Sequence, residues 1–124
     1  DSVGYFEGKI LEKPKTEEEA FNMLKSLSGK RHEWLTGMHM KDVETGKNFS
    51  DLTKTTITFR KLTDEEIRNY LKKEPRYKQW AVAYNPLGNY GASFIENFEG
   101  SYSSQFGVPF DVIVKRLREF GVKI

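Results

Sequence analysis

The eight residues 53–60, TKTTITFR, constrain the chain more than any other stretch. Successive side chains of an extended backbone point to opposite faces, so Thr53, Thr55, Ile57 and Phe59 share one side and Lys54, Thr56, Thr58 and Arg60 the other. β-branched and aromatic residues at this period favour a strand. A strand needs partners for its N–H and C=O groups, and this one needs cover over Ile57 and Phe59. Residues 31–40 repeat the alternation, with His32, Trp34, Thr36, Met38 and Met40 on one side, and Gly46 marks a turn within residues 42–47. Residues 1–11 read as a hairpin turning at Glu7-Gly8. Residues 92–98, flanked by Gly91 and Gly100, read as one more strand.

Three helices supply the cover. Thr16 with Glu19 predicts a capping box, in which each side chain satisfies a free N–H of the first turn; Ala20, Met23, Leu24 and Leu27 form the inward stripe, and Gly29 ends the helix. Thr63 with Glu66 predicts a second box, with Leu62 and Ile67 as a hydrophobic staple, and that helix stops before Pro75. Pro109 opens the last helix, residues 109–120, whose apolar side carries Phe110, Ile113, Leu117 and Phe120. Residues 76–91 read mostly as loop, with a short apolar piece at 80–84. The order β-β-α-β-β-α-β-α predicts an α/β fold, a mixed central sheet with flanking helices and both parallel and antiparallel pairs.

Length and composition narrow the function classes. A chain of 124 residues, 37% hydrophobic and 31% charged, suits one globular domain. The absence of cysteine excludes disulfides and thiolate chemistry and fits a reducing compartment, here read as cytoplasm. No apolar run reaches the ~20 residues of a membrane span. A net charge of +2 is too small to argue for nucleic acid on bulk electrostatics, and a nucleic-acid partner is not expected. The chain starts at Asp1 and enters the strand-like run Val3-Gly4-Tyr5-Phe6 at once, which suggests a fragment or a processed product.

Several residue types carry candidate chemistry. His32 and His39 are seven apart on one strand, so they face opposite ways and do not share a metal. Glu17, Glu18 and Glu19, like Asp64, Glu65 and Glu66, sit in first helical turns and offset the helix dipole. The nine Phe, six Tyr and two Trp fall mostly at core-facing periods, although interleaved with Lys and Arg they could stack on single-stranded bases. The loop at 100–109, between a strand and a helix, stands where α/β proteins commonly hold ligands. Asp1 lies at the mouth of a strand, where a carboxylate could hold Mg²⁺ or take a proton from water. Lys13 is restrained by Pro14, and an Asp and a Lys at one end of a sheet would suit a triphosphate with its metal.

At these residues the sequence resembles the C-terminal two-thirds of the Maf-family nucleoside triphosphate pyrophosphatases, whose fold is similar to that of the inosine triphosphatases. Asp1-Ser2-Val3 is similar to the family's A-D-T-V from its Asp onward, and GKILEKPK at 8–15, followed by Glu17, Glu18, Glu19 and Ala20, to its G-K-P-x-x-x-x-x-A. LSGKRHEWLTG at 27–37 resembles L-S-G-x-x-H-x-V-x-T-G, and FRKLTDEEIRNY at 59–70 resembles F-x-x-L-S-D-E-E-I-x-x-Y. Residues 91–109 carry G-A-x-F-I-E-x-I-x-G-x-Y and a loop ending like G-L-P. The resemblance implies hydrolysis of a nucleoside triphosphate to the monophosphate and pyrophosphate with Mg²⁺ or Mn²⁺. It implies Asp1 as general base and metal ligand, and Lys13 as the cation on the phosphates. Ser2 and Leu87 fall on positions of base selectivity, where Thr and Gln are usual in members acting on dTTP and UTP. It further implies a single domain lacking its N-terminal segment, with the S-x-S-x-R-R phosphate loop, and leaves room for a homodimer. The family is tied to removal of unwanted nucleotides and to arrest of septum formation.

The chain departs from the pattern in places. The family's K-A-G-A-Y reads Trp80-Ala81-Val82-Ala83-Tyr84, one extra residue precedes Gly91, and Ser101 replaces the usual Asp. These departures keep open a nucleotide-binding or interaction module of the same fold that has lost catalysis, and the aromatics interleaved with Lys and Arg keep open a binder of single-stranded nucleic acid.

Overall fold

The computed structural model describes residues 2–86 and 90–124. Asp1 and Leu87, two of the four predicted site residues, lie outside them. Five strands, β1 (Ser2–Phe6), β2 (Lys9–Leu11), β3 (Arg31–Lys41), β4 (Asn48–Phe59) and β5 (Ile95–Glu99), form one sheet in the order β2-β1-β3-β4-β5. The helices are α1 (Glu17–Leu27), α2 (Asp64–Lys73) and α3 (Phe110–Glu119).

The expected parallel pairs do not occur: every pairing among the described strands is antiparallel. The connections explain the difference. β1 and β2 form the predicted hairpin, its turn built on Glu7 and Gly8 at φ 48° and 79°. α1 carries the chain over β1 rather than to its own neighbour, so β2 and β3 run the same way on either side of β1. Residues 60–94 leave the sheet at Phe59 and return beside it at Ile95, which forces β5 to run against β4. Strand β4 also begins five residues before the predicted strand, at Asn48, because β3 pairs along its whole length out to Lys41.

The inward faces of β3 and β4 are those the alternation predicts, and they divide into two halves. On one half His32, Trp34, Ile57 and Phe59 are buried with Ala20, Leu24 and Leu27 of α1, Ile67 and Tyr70 of α2, and Tyr84. On the other half Thr36 and Thr55 are fully buried, under the loop that follows β5. Gly100 makes that loop possible: its φ is +119°, and a Cβ there would stand 2.7 Å from the Lys54 carbonyl oxygen.

The second capping box is complete, with Thr63 and Glu66 each bonded to the other's backbone N–H. The first is half formed. Thr16 Oγ accepts from Glu19 N–H, but the Glu19 carboxylate accepts from Lys15 N–H at 2.7 Å. Met23 is only half-buried, and Phe21 takes its place in the inward stripe. The predicted strand at 92–98 opens instead with a 3-10 turn, Ala92–Phe94. Helix α3 has no buried residue, and Phe110 is 59% exposed. Its stripe is half-buried because it lies over the outer part of β4, where Phe49 meets Phe120 edge to face and Arg116 clamps Asp51 through two bonds of 2.8 and 2.7 Å.

Candidate functional site

The start of β1, the end of β2 with the two residues after it, and residue 81 line an open cleft of about 410 Å³. Val3, Ile10, Leu11 and Ala81 supply apolar walls; Ser2, Glu12 and Lys13 supply the polar groups. Pairing of Gly4 with Leu11 brings the start of β1 beside the end of β2, and this places Ser2 and Lys13 in one cavity. Pro14 is buried and anchors the chain just beyond the exposed Lys13. The volume lies within the range of small-molecule pockets, roughly 300–1,000 Å³.

Next to Ala81 in the chain the backbone is unusual. Val82, beside Ala81, has φ 65° and ψ 11°, and Ala83 has φ 62°. Left-handed conformations cost a β-branched residue more than any other, and consecutive ones persist only where packing imposes them. Both residues are fully buried, Val82 N–H donates to the Glu12 carbonyl at 3.3 Å, and Tyr70 Oη donates to the Ala83 carbonyl at 3.0 Å. The glycine of the family's K-A-G-A-Y therefore suits this position sterically, and the valine here holds the same left-handed turn under strain.

Behind the cleft runs a line of hydroxyls. Ser2 Oγ lies 2.8 Å from Thr36 Oγ1, Thr36 donates to the Ser104 carbonyl at 3.1 Å, and Ser104 Oγ lies 2.9 Å from Thr53 Oγ1. Thr55 donates to the Ser101 carbonyl at 3.0 Å, and Ser101 Oγ donates to Asp111 at 2.7 Å. Ser103 Oγ accepts Phe110 N–H at 2.9 Å and so caps α3, where Pro109 has no side chain able to do so. Sequence reasoning placed Thr36, Thr53 and Thr55 on inward faces but assigned them no task. The signal was there: three hydroxyl residues at inward strand positions need partners, and a serine-rich loop supplies them.

Of the histidines, His32 is buried against Tyr84 and Phe59, while His39 is exposed and bonded to Ser50, on the opposite face as predicted. Trp34 Nε1–H donates to Tyr84 Oη at 3.3 Å, and His32 Nε2 lies 2.9 Å from the same oxygen. His32 Nδ1 has no hydrogen-bond partner among the described residues, and burial pushes this imidazole down to about 4. It is a core residue.

For a divalent cation, the described residues bring one carboxylate, Glu12, and one hydroxyl, Ser2, to the cleft. Mg²⁺ in phosphate-ester and anhydride chemistry is commonly held by one or two carboxylates together with substrate phosphates and waters, and Glu12 is the described carboxylate of this cleft. No group of three or more His, Cys, Asp or Glu side chains able to hold a metal occurs among the described residues. Nor is any helix among them long and apolar enough to cross a membrane.

The dTTP/UTP pyrophosphatase of Carboxydothermus hydrogenoformans is 42% identical over 122 residues, covering 98% of this chain and 64% of its own length. That of Methanosarcina barkeri is 38% identical over 125 residues, covering 100% of this chain and 62% of its own length. That of Clostridium kluyveri is 36% identical over 124 residues, covering 100% and 64%. The chain thus spans a little under two-thirds of the length of these relatives. The Maf-like protein family matches residues 1–120, nearly the whole chain, and the chain belongs to that family.

Proposed function

We propose that the protein to which this chain belongs is a nucleoside triphosphate pyrophosphatase, with residues 1–124 forming the greater part of a single domain. The observation that carries the reading is the cleft that brings Ser2 and Lys13 together beside a strained turn. Water attacks the α-phosphorus, the bond to the bridging oxygen of the β-phosphate breaks, and pyrophosphate leaves. Asp1, next to Ser2, takes the proton from that water. Lys13 lies against the phosphates and offsets the charge that builds on the leaving group. Asp1 is also the carboxylate this reading gives to the Mg²⁺ or Mn²⁺ that accompanies the triphosphate. This reading gives selection of the base to Ser2 and Leu87. Relatives named for dTTP and UTP favour a pyrimidine triphosphate as substrate.

The test is pyrophosphate release by the full-length protein from a panel of nucleoside triphosphates with Mg²⁺ or Mn²⁺. Turnover is expected, with kcat/KM falling by about 10²-fold or more in Lys13→Ala at unchanged melting temperature. Unchanged turnover in Asp1→Asn removes Asp1 from its role. Tight nucleotide binding without turnover in the unmodified protein supports a binding module instead.

A further inference from the structure

The strained turn beside the cleft is tied down from within the core. Past Leu11 the ladder between β1 and β2 ends, and the chain that carries Lys13 is bonded next by Val82, whose N–H donates to the Glu12 carbonyl at 3.3 Å. That donor sits in a turn of two consecutive left-handed residues, Val82 at φ 65° and Ala83 at φ 62°, a conformation that neither side chain favours. It persists only where the surroundings impose it. Tyr70 is one such constraint: its Oη donates to the Ala83 carbonyl at 3.0 Å, and the Asn85 backbone bonds the same oxygen. Tyr70 belongs to α2, is 3% exposed and lines no part of the cleft. Burial pushes its phenol well above the usual tyrosine range, so the hydroxyl keeps its proton and remains a donor.

We propose that Tyr70 is a positioning residue for Lys13. Its hydroxyl fixes the Ala83 carbonyl, which holds Val82 in the left-handed turn, and the Val82 N–H holds the Glu12–Lys13 segment at the cleft. Buried Pro14 fixes the other end of that segment. Without the hydroxyl the Ala83 carbonyl loses a buried partner, and the turn relaxes toward right-handed conformations that carry the Val82 N–H away from Glu12. Lys13 then stays in the cleft but spends less time where charge develops on the leaving group. The proposal rests on the reading that Lys13 offsets that charge, and it names what keeps the lysine in place. Tyr70 need not touch substrate: it acts through peptide groups of the turn.

The experiment measures pyrophosphate release from UTP by the full-length protein, Tyr70→Phe, Lys13→Ala and the two changes combined. Phenylalanine keeps the ring in the core and removes the hydroxyl alone. In Tyr70→Phe kcat is expected to fall about tenfold while KM changes by less than about twofold, because the lysine acts on charge that develops in the transition state. In the Lys13→Ala background Tyr70→Phe is expected to lower kcat no further. Tyr84→Phe is the comparison, since it removes a buried tyrosine hydroxyl bonded to His32 and Trp34 rather than to the turn. It is expected to lower the melting temperature and leave kcat within about twofold. An unchanged kcat in Tyr70→Phe, a loss that persists in the Lys13→Ala background, or an equal loss in Tyr84→Phe overturns the proposal. Should Tyr70→Phe lack a cooperative melt, Val82→Gly is added to it. Glycine holds the turn without strain, so this double variant is expected to fold and keep its kcat, and a cooperative melt with kcat lost overturns the proposal equally. If the unmodified protein releases no pyrophosphate, or Lys13→Ala leaves kcat unchanged, the reading of Lys13 fails. Amide exchange at Val82 then decides the link from Tyr70 to the Glu12–Lys13 segment separately. Tyr70→Phe is expected to speed it about tenfold relative to the β3 amides near Trp34, and an unchanged ratio overturns the link.

Discussion

Gly4 shows how little room single residues leave around the cleft. A Cβ at this position would stand 2.6 Å from Val82 Cγ2 and 3.4 Å from Leu11 Cβ. Val82 is buried and held by its backbone bond to Glu12, so it cannot swing aside. Gly4→Ala is expected to destabilise the protein by about 1–3 kcal/mol, read from the urea midpoint. Combining it with Val82→Gly should recover part of the loss, because the second change removes the opposing methyl and relaxes the left-handed backbone. Additive losses in the double variant would contradict this account. The sequence pattern marked residue 82 as a departure from a glycine, but a departure in letters does not reveal a φ of 65°. The task of Thr36 was hidden for a similar reason: its partners Ser2 and Ser104 lie 34 and 68 residues away.

Local rules served best where local physics decides an element. The complete capping box of α2, the hairpin at Glu7-Gly8 and the period-two faces of β3 and β4 all depend on residues within a few positions of each other. Elements whose limits depend on distant packing were misjudged. Residues 92–94 form a 3-10 turn because Phe94 must fill the core against Phe59 and Tyr70 before the chain joins the sheet. Helix α3 is the extreme case, periodic in sequence yet without a buried side chain. Its attachment rests on Arg116, which bonds Asp51 and Glu119 and lies 4.3 Å from the centre of the Phe49 ring. Hydrogen bonds from the guanidinium hold the Asp51 carboxyl below the usual carboxylate range, so this clamp persists into mild acid. Arg116→Ala is expected to raise amide exchange across Phe110–Glu119 while the amides of β3 near Trp34 keep their protection. Equal loss in both regions would show α3 to be integral to the core.

Across the whole molecule, one buried imidazole is expected to cost stability in weak acid. His32 is 1% exposed and its pKa is pushed down from 6.5 to about 4 by burial. The unfolded chain therefore binds this proton first, and stability present above pH 6.5 is lost as the pH falls toward 4. The loss should approach roughly 3 kcal/mol, measured as ΔG of unfolding in urea between those limits. It should be much smaller in His32→Gln, and an unchanged slope in that variant would assign the loss to carboxylates instead. At this scale the α/β class and the strand faces were legible in the sequence, whereas the predicted convergence of Asp1 and Lys13 at one end of the sheet involves a residue outside the described ones. The antiparallel order was not legible, since element order does not say which edge a returning strand takes. That return has a further consequence. Phe59 and Ile95 are paired neighbours, so residues 60–94 form a closed excursion whose two ends are tied together by the sheet. Lengthening a closed loop by one residue changes its closure entropy only slightly. An inserted amino acid before Gly91 can therefore be taken up within residues 60–94 while the pairing of Phe59 with Ile95 stays in place.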